Sequence, residues 1–222
     1  AAQRAIVGEN PEEFFILHVV GAGHTGVELA IELIHLIERK VEQQFTCLKG
    51  YQPTIQIIEA SSTILPGFDE DIKEYVMARL KEKGIDLILN TMVTEVQLDQ
   101  IQVKRKNPDT DEETQEYMIS VDPIWVAGVK ANCTDDLLPN VDRVPRNERV
   151  KVNSQLHLEE SSFVYVIGDA AGVNVPGTER LYPPTGQVVE QQASYVVKQL
   201  MREIKGQSLM TRPFEFTEKG RM

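Results

Sequence analysis

The stretch "FFILHVVGAGHTGVELAIEL", Phe14 to Leu33, sets the strongest constraint on what this chain can fold into, because an apolar run breaks into glycines and then resumes at helical spacing. Gly21, Gly23 and Gly26 stand in the G-x-G-x-x-G order. Between a strand and a helix, the first glycine lets the chain turn sharply, the second lets a pyrophosphate approach the main chain, and the third lets helix and strand pack closely. Phosphates then rest on the positive end of the helix, which makes His24 and Thr25 part of the same cradle. The flanks agree. Phe14 to Val20 reads as a strand, and from Thr25 to about Gln44 the residues Val27, Ala30, Ile31, Ile34, Ile37 and Val41 recur at helical period.

Further along, "IQIIEA" (Ile55 to Ala60) reads as a second strand, Asp69 to Lys83 as a second amphipathic helix stopped by Gly84, and "IDLILN" as a third strand. This is a βαβαβ unit, whose parallel strands require right-handed helical crossovers. The expected class is therefore α/β, a Rossmann-like doubly wound parallel sheet. Glu59 closes the second strand, where such a fold places the acid that accepts the adenosine ribose hydroxyls. It follows Gly26 by more than the usual interval of about 20 residues, and a longer helix with the loop "FTCLKGYQPT" accounts for the excess. A carboxylate there disfavours a 2′-phosphate, so NADH is expected over NADPH.

From about residue 93 to 120 the texture changes to short alternating stretches, the mark of an antiparallel β-meander inserted before the next strand, "PIWVAG". The acidic turn "NPDTDEETQ" reads as its solvated tip and Trp125 as a core residue. The expected organisation is a linker at 1–13, a nucleotide-binding domain at 14–128, and a connector with a returning segment at 129–222. That last part holds strands within "RVKVNSQLHLE" and "FVYVIGDAA" and a helix from about Thr185 to Lys205. Thr185 suits its N-cap, leaving the main-chain N–H groups of Gly186 and Gln187 pointing outward.

Composition removes several functions. With 34 acidic against 23 basic side chains the formal charge is −11, which argues against a nucleic-acid surface. No apolar run approaches the roughly 18 residues of a membrane span, and no signal-peptide layout is present. The two cysteines, Cys47 and Cys133, lack CxxC-type spacing, so neither a dithiol redox pair nor a metal site is expected and a reducing cytoplasm is the default setting.

The stretches "VVGAGHTGVELAIEL", "IQIIEASSTILPGFDED", "DPIWVAGVKAN", "VYVIGDAAG", "PPTGQVVEQQASYV" and "FEFTEKGRM" run in order over nearly the whole chain. Together they resemble the two-dinucleotide flavoprotein reductases, and most of all the type II NADH dehydrogenases, the single-subunit NADH:quinone oxidoreductases. The resemblance implies hydride transfer from NADH to FAD and electron transfer onward to a quinone. It implies that Gly168 and Asp169 belong to the FAD domain, with Asp169 accepting from the ribityl chain, and that Thr185, Gly186 and Gln187 open a helix beside the flavin. Gln187 and Gln191 would lie by the flavin and the quinone pocket. Ala127 and Gly128 would line the nicotinamide pocket, and Glu28 would stand near the nicotinamide and flavin rings, or serve only as an acid in the first turn of its helix. A soluble FAD-dependent reductase serving a redox protein, and a non-catalytic NADH sensor, remain open alternatives.

Such proteins carry two glycine fingerprints, and this chain shows one. The 13 residues ahead of the first strand are too few for a βαβ unit of about 30 residues. The expectation is a fragment without the N-terminal FAD-binding half, and without the C-terminal tail that would bring the protein to the cytoplasmic face of a membrane. It should bind NADH, purify without flavin and be inactive alone. The last helix shows an apolar stripe of Val189, Ala193, Val196, Val197, Leu200 and Ile204, a face that invites self-association such as a homodimer.

Overall fold

The computed structural model describes residues 16–44, 54–120, 122–132, 137–145, 147–159 and 161–220. Phe14, Phe15, most of the "FTCLKGYQPT" loop with Cys47, and Cys133 lie outside the described residues. The first unit runs to Ala127. Its elements are β1 (Ile16–Val20), α1 (His24–Gln44), β2 (Thr54–Ile58), α2 (Glu70–Glu82), β3 (Ile85–Ile88), β4 (Thr91–Val96), β5 (Gln100–Lys106), β6 (Glu113–Ile119) and β7 (Ile124–Trp125).

Strands β3, β2, β1 and β7 form one sheet in that spatial order, and every pairing in it is parallel. Alternation along the strands decides what covers each face. Leu17, Val19, Ile55, Ile57, Ile85 and Leu87 point to one side and pack against Val27, Ala30 and Ile34 of α1 and Leu80 of α2. Val20, Ile58 and Ile88 point to the other side and meet Val93, Ile101 and Val103. Those last residues belong to the antiparallel meander β4-β5-β6, which forms a third layer. A sheet covered on both faces explains why β1 and β2 read as nearly unbroken apolar runs.

One polar row crosses that covered sheet. His18, Gln56 and Asp86 are register partners on neighbouring strands. His18 Nε2 donates to Gln56 Oε1 at 3.0 Å, and Gln56 Nε2 donates to Asp86 Oδ2 at 3.4 Å. His18 is buried, its Nδ1 has no hydrogen-bond partner among the described residues, and burial lowers its pKa below the ordinary 6.5.

The second unit, Gly128 to Met222, has its own core, formed by Val150, Val152, Leu156, Leu158, Val166, Tyr182, Val188, Val196 and Phe214 among others. Its regular structure comprises β8 (Val150–Lys151), β9 (His157–Leu158), β10 (Ser161–Tyr165), a 3-10 turn at Gly168–Ala170, β11 (Ala171–Gly172) and α3 (Gly186–Ile204). The stretch "RVKVNSQLHLE" is thus two short strands rather than one. Asn153 breaks it, its side chain accepting from the N–H groups of Gln155 and His157 in a tight turn.

One further expectation is corrected. Trp125 is 54% exposed instead of core, and its indole N–H donates to the Ala127 carbonyl at 2.9 Å. Val197, Leu200 and Ile204 of the apolar stripe on α3 are exposed, as a face without a partner in this chain would be, while the buried line of the helix is Val188, Gln192, Val196 and Gln199. Two glutamines belong to that buried line because main-chain groups meet them.

The His18 row generates a pH prediction. A histidine whose pKa is depressed by folding contributes stability that is present above the unfolded value near 6.5 and lost as pH falls below it. Between pH 7.5 and 5.5 the wild-type melting temperature should fall more steeply than that of His18→Gln, which keeps a donor toward Gln56 but does not titrate. Parallel slopes in differential scanning calorimetry would refute this.

Candidate functional site

The order β3-β2-β1-β7 places a topological switch between β1 and β7, and open parallel sheets bind ligands at the carboxyl ends of their strands at such a point. The glycine turn stands there. Gly21 has φ +110°, and a Cβ on it would meet Ala127 Cα at 2.9 Å. A methyl group on Gly26 would overlap the carbonyl oxygen of Gly21, so α1 can start against the end of β1 only because position 26 has no side chain. Gly23 differs: a Cβ there meets nothing within 4 Å. Two glycines are closed by protein and one opens outward.

The turn is held from several sides. Gly21 N–H donates to Ile58 O at 2.8 Å, Leu65 N–H to Ala22 O at 2.9 Å, and Val27 N–H to Gly23 O at 3.1 Å, the first bond of the helix. His24 and Thr25 are exposed at the start of α1, where main-chain N–H groups have no partner within the helix. Because the helix begins at His24, Glu28 falls in its second turn, not the first, and its side chain is exposed.

Glu59 stands one residue beyond β2. Its Oε2 accepts from Ala22 N–H at 2.8 Å, and its Oε1 accepts from both the N–H and the hydroxyl of Ser61, each at 2.8 Å. A carboxylate offers about four acceptor positions, and three are in use. The Ser61 hydroxyl also lies 2.7 Å from Thr63 O, so turning it there frees an acceptor on Glu59 without leaving the hydroxyl unpaired. Ala127, half-buried, packs on the turn, whereas Gly128 is exposed with φ +73°.

In the second unit the Gly-Asp pair forms its own turn. Gly168 has φ +69° and donates its N–H to Gln192 Oε1 at 2.7 Å. Asp169 is exposed. Arg149, 6% exposed, donates to Tyr182 O at 2.9 Å; burial lowers its pKa, and the Asp169 carboxylate opposes that shift. Thr185 occupies the N-cap of α3, yet its side chain makes no capping bond. Its carbonyl, not its hydroxyl, receives Val188 and Val189 N–H.

Gln187 and Gln191 are both engaged by the C-terminal segment. Gln187 donates to Gly220 O at 2.7 Å and accepts from Lys219 N–H at 3.1 Å, and Gln191 donates to Thr217 O at 2.8 Å and accepts from Thr217 N–H at 3.0 Å. Sequence reasoning missed Gln192, Gln199 and Arg149. The one available signal was the doubled "EQQ", which sets adjacent glutamines on different sides of the helix.

A parallel sheet whose first strand ends in a closed-open-closed glycine turn, with a carboxylate anchored at the second strand end, defines a dinucleotide-binding fold. The chain belongs to the pyridine nucleotide-disulphide oxidoreductase family, whose model matches residues 3–194. It is 31% identical over its whole length to the type II NADH:quinone oxidoreductase Ndh of Mycobacterium tuberculosis, covering 46% of that protein. Against the type II NADH:quinone oxidoreductase of Haemophilus influenzae, 91% of the chain matches at 27% identity, over 43% of the relative. The chain thus spans about half the length of the curated relatives it matches. Among solved structures, that of NDH2 from Plasmodium falciparum in complex with NADH superimposes with a TM-score of 0.77 at 15% identity, over 99% of this chain and 58% of that one.

Two variants separate tight packing from open space at the turn. Gly26→Ala should cost at least about 1–3 kcal/mol through overpacking, while Gly23→Ala should stay within about 0.5 kcal/mol of wild type, both read by urea unfolding. At the second turn, Gln192→Met strands the Gly168 N–H and should cost about 1–3 kcal/mol. A neutral effect would mean that water replaces the amide.

Proposed function

We propose that this chain is the NADH-binding part of an FAD-dependent NADH dehydrogenase that delivers electrons to a quinone. The observation that carries the reading is the open position at Gly23 between the closed positions at Gly21 and Gly26. A pyrophosphate fits against a main chain without side chains, and the start of α1 adds favourable charge of about 0.3–1 kcal/mol at an exposed site. Glu59 accepts the adenosine ribose hydroxyls as Ser61 turns away, and its charge disfavours a 2′-phosphate. Ala127 and Gly128 supply main chain at the nicotinamide end. Glu28, exposed on α1, is available there to orient the ring or hold a proton.

In the second unit, Gly168 and Asp169 suit a flavin in kind: an exposed carboxylate projects from a turn whose backbone Gln192 holds in place. Thr185, Gly186 and Gln187 open a 19-residue helix without a side-chain cap, which leaves amide dipoles to stabilise negative charge. Hydride acceptance from nicotinamide and onward electron transfer are the chemistry FAD supplies when bound. The chain's own contribution is placement and field, with no nucleophilic side chain required. In kind, the relatives' names support NADH as donor and quinone as acceptor. Among the described residues no helix is long and apolar enough to cross a membrane.

A fluorescence titration of the chain with NADH tests the nucleotide site. Gly23→Ala should weaken binding at least tenfold, about 1.4 kcal/mol, although the same change is expected to leave folding intact. Glu59→Gln should cost one to two decades of affinity, from about 1.5–3 kcal/mol for a charge-assisted hydrogen bond, and should narrow the preference for NADH over NADPH. Undiminished binding by Gly23→Ala would overturn the site.

A further inference from the structure

Trp125 is the single tryptophan of this chain, and core packing does not account for it, because the side chain is 54% exposed. It stands in β7, a two-residue strand at the edge of the parallel sheet. Pairing with β1 runs out quickly there. Val19 and Val20 meet Ile124 and Trp125, Val126 N–H donates to Val20 O at 3.0 Å, and beyond Val126 no bond among the described residues joins the two strands. The next peptide is held by a side chain instead: the Trp125 indole N–H donates to Ala127 O at 2.9 Å.

What the indole holds is one wall of the glycine turn. A Cβ on Gly21 would meet Ala127 Cα at 2.9 Å and Ala127 N and Cβ at 3.0 Å each, and a Cβ on Gly26 would meet Val126 Cγ2 at 3.3 Å. The main chain of Ala127 therefore lies directly against the turn. No peptide bond among the described residues is cis, and a trans peptide sets its N–H opposite its carbonyl. With the Ala127 carbonyl fixed at the indole, the Gly128 N–H faces away from it, and this N–H has no hydrogen-bond partner among the described residues. A side chain thus aims a free main-chain donor beside the turn.

The order of strands says which part of a dinucleotide meets that donor. Glu59 lies beyond β2, the glycine turn beyond β1 and Ala127 beyond β7, in a sheet ordered β3-β2-β1-β7. A dinucleotide carries one nucleoside on each side of its diphosphate. With the adenosine ribose at Glu59 and the diphosphate at the turn, the second nucleoside falls across the end of β7.

We propose that Trp125 is a positioning residue for the nicotinamide end of the nucleotide: its indole N–H fixes the Ala127–Gly128 peptide so that the Gly128 N–H donates to the carboxamide oxygen. The inference rests on the NADH reading above. In the rival arrangement Trp125 only braces the turn through Ala127, which affects every ligand that uses the diphosphate cradle. The positioning role affects only ligands that carry the nicotinamide.

The experiment titrates this chain with NADH, read by fluorescence, and with ADP-ribose, read by calorimetry. ADP-ribose keeps the adenosine and the diphosphate and lacks the nicotinamide. Trp125→Phe keeps an aromatic ring and removes the N–H. It should weaken NADH binding about three- to tenfold, the range of one neutral hydrogen bond, and ADP-ribose binding by less than about twofold. Glu59→Gln should weaken both ligands by the same factor. Because Trp125 is the only tryptophan in the chain, its indole N–H gives a single magnetic resonance signal, whose exchange with solvent should be about tenfold slower than in free tryptophan, or slower still. Equal weakening of the two ligands in Trp125→Phe, or undiminished NADH binding, would overturn the proposal. Indole exchange as fast as in free tryptophan would show that the bond to Ala127 does not form, and would overturn it without reference to any ligand. Failure of the wild-type chain to bind either ligand would overturn the NADH reading and the proposal with it, even where indole exchange is slow.

Discussion

The approach of Gly26 to the carbonyl of Gly21 is the contact on which the first unit depends. A helix can start directly at the end of a parallel strand only where no side chain separates them, and the overlap that a single methyl group would create shows how little space remains. Once α1 is seated there, its apolar side falls on Val19, Ile55 and Ile57. The turn is then held by Ile58 and the carboxylate of Glu59 at the end of β2 and by Leu65 in the loop that follows. Such a loop presents its amides without having to be ordered by a ligand, so less binding energy is lost to immobilisation.

The second unit is governed by a different constraint, the satisfaction of buried polar groups. Leaving an amide unpaired in an apolar setting costs on the order of 1–3 kcal/mol in mutational measurements. Gln192 and Gln199 are nevertheless almost completely buried, and Arg149 carries a charge inward. Each meets main-chain atoms of a segment that makes little regular structure: the Gly168 turn, Met210 and Tyr182. Irregular backbone and buried polar side chains solve each other's problem. The polar pairing also selects one register for residues 208–220 along α3, since a shift would leave several donors and acceptors unmatched at once.

A TM-score of 0.77 at 15% identity shows how few residues the fold needs to keep. What a fold of this kind requires of a sequence is pattern: alternation within a covered sheet, helical period, and small residues where backbones touch. These constraints tolerate wide changes of side chain so long as volume and polarity fall in the right places.

The parallel sheet, its two helices and the inserted meander were legible in the sequence, because each is written in local period and in the spacing of Gly21, Gly23 and Gly26. Glu59 was legible as a strand-end acid for the same reason. Its bond to Ala22 was not, since the partners lie in separate strand-loop units and only the sheet brings them together. The apolar stripe of α3 was legible as a face without a partner, and Val197, Leu200 and Ile204 stand exposed; the burial of Gln192 and Gln199 was not, because a glutamine's cost of burial depends on partners that period does not reveal. Trp125 was assigned to the core by size, and it stands exposed beside Ala127. Sequence by itself determined where the chain turns and where glycine lets backbones meet, both matters of local sterics. Tertiary structure alone decided which polar side chains turn inward, because a buried hydrogen bond is a property of two distant segments and neither carries it alone.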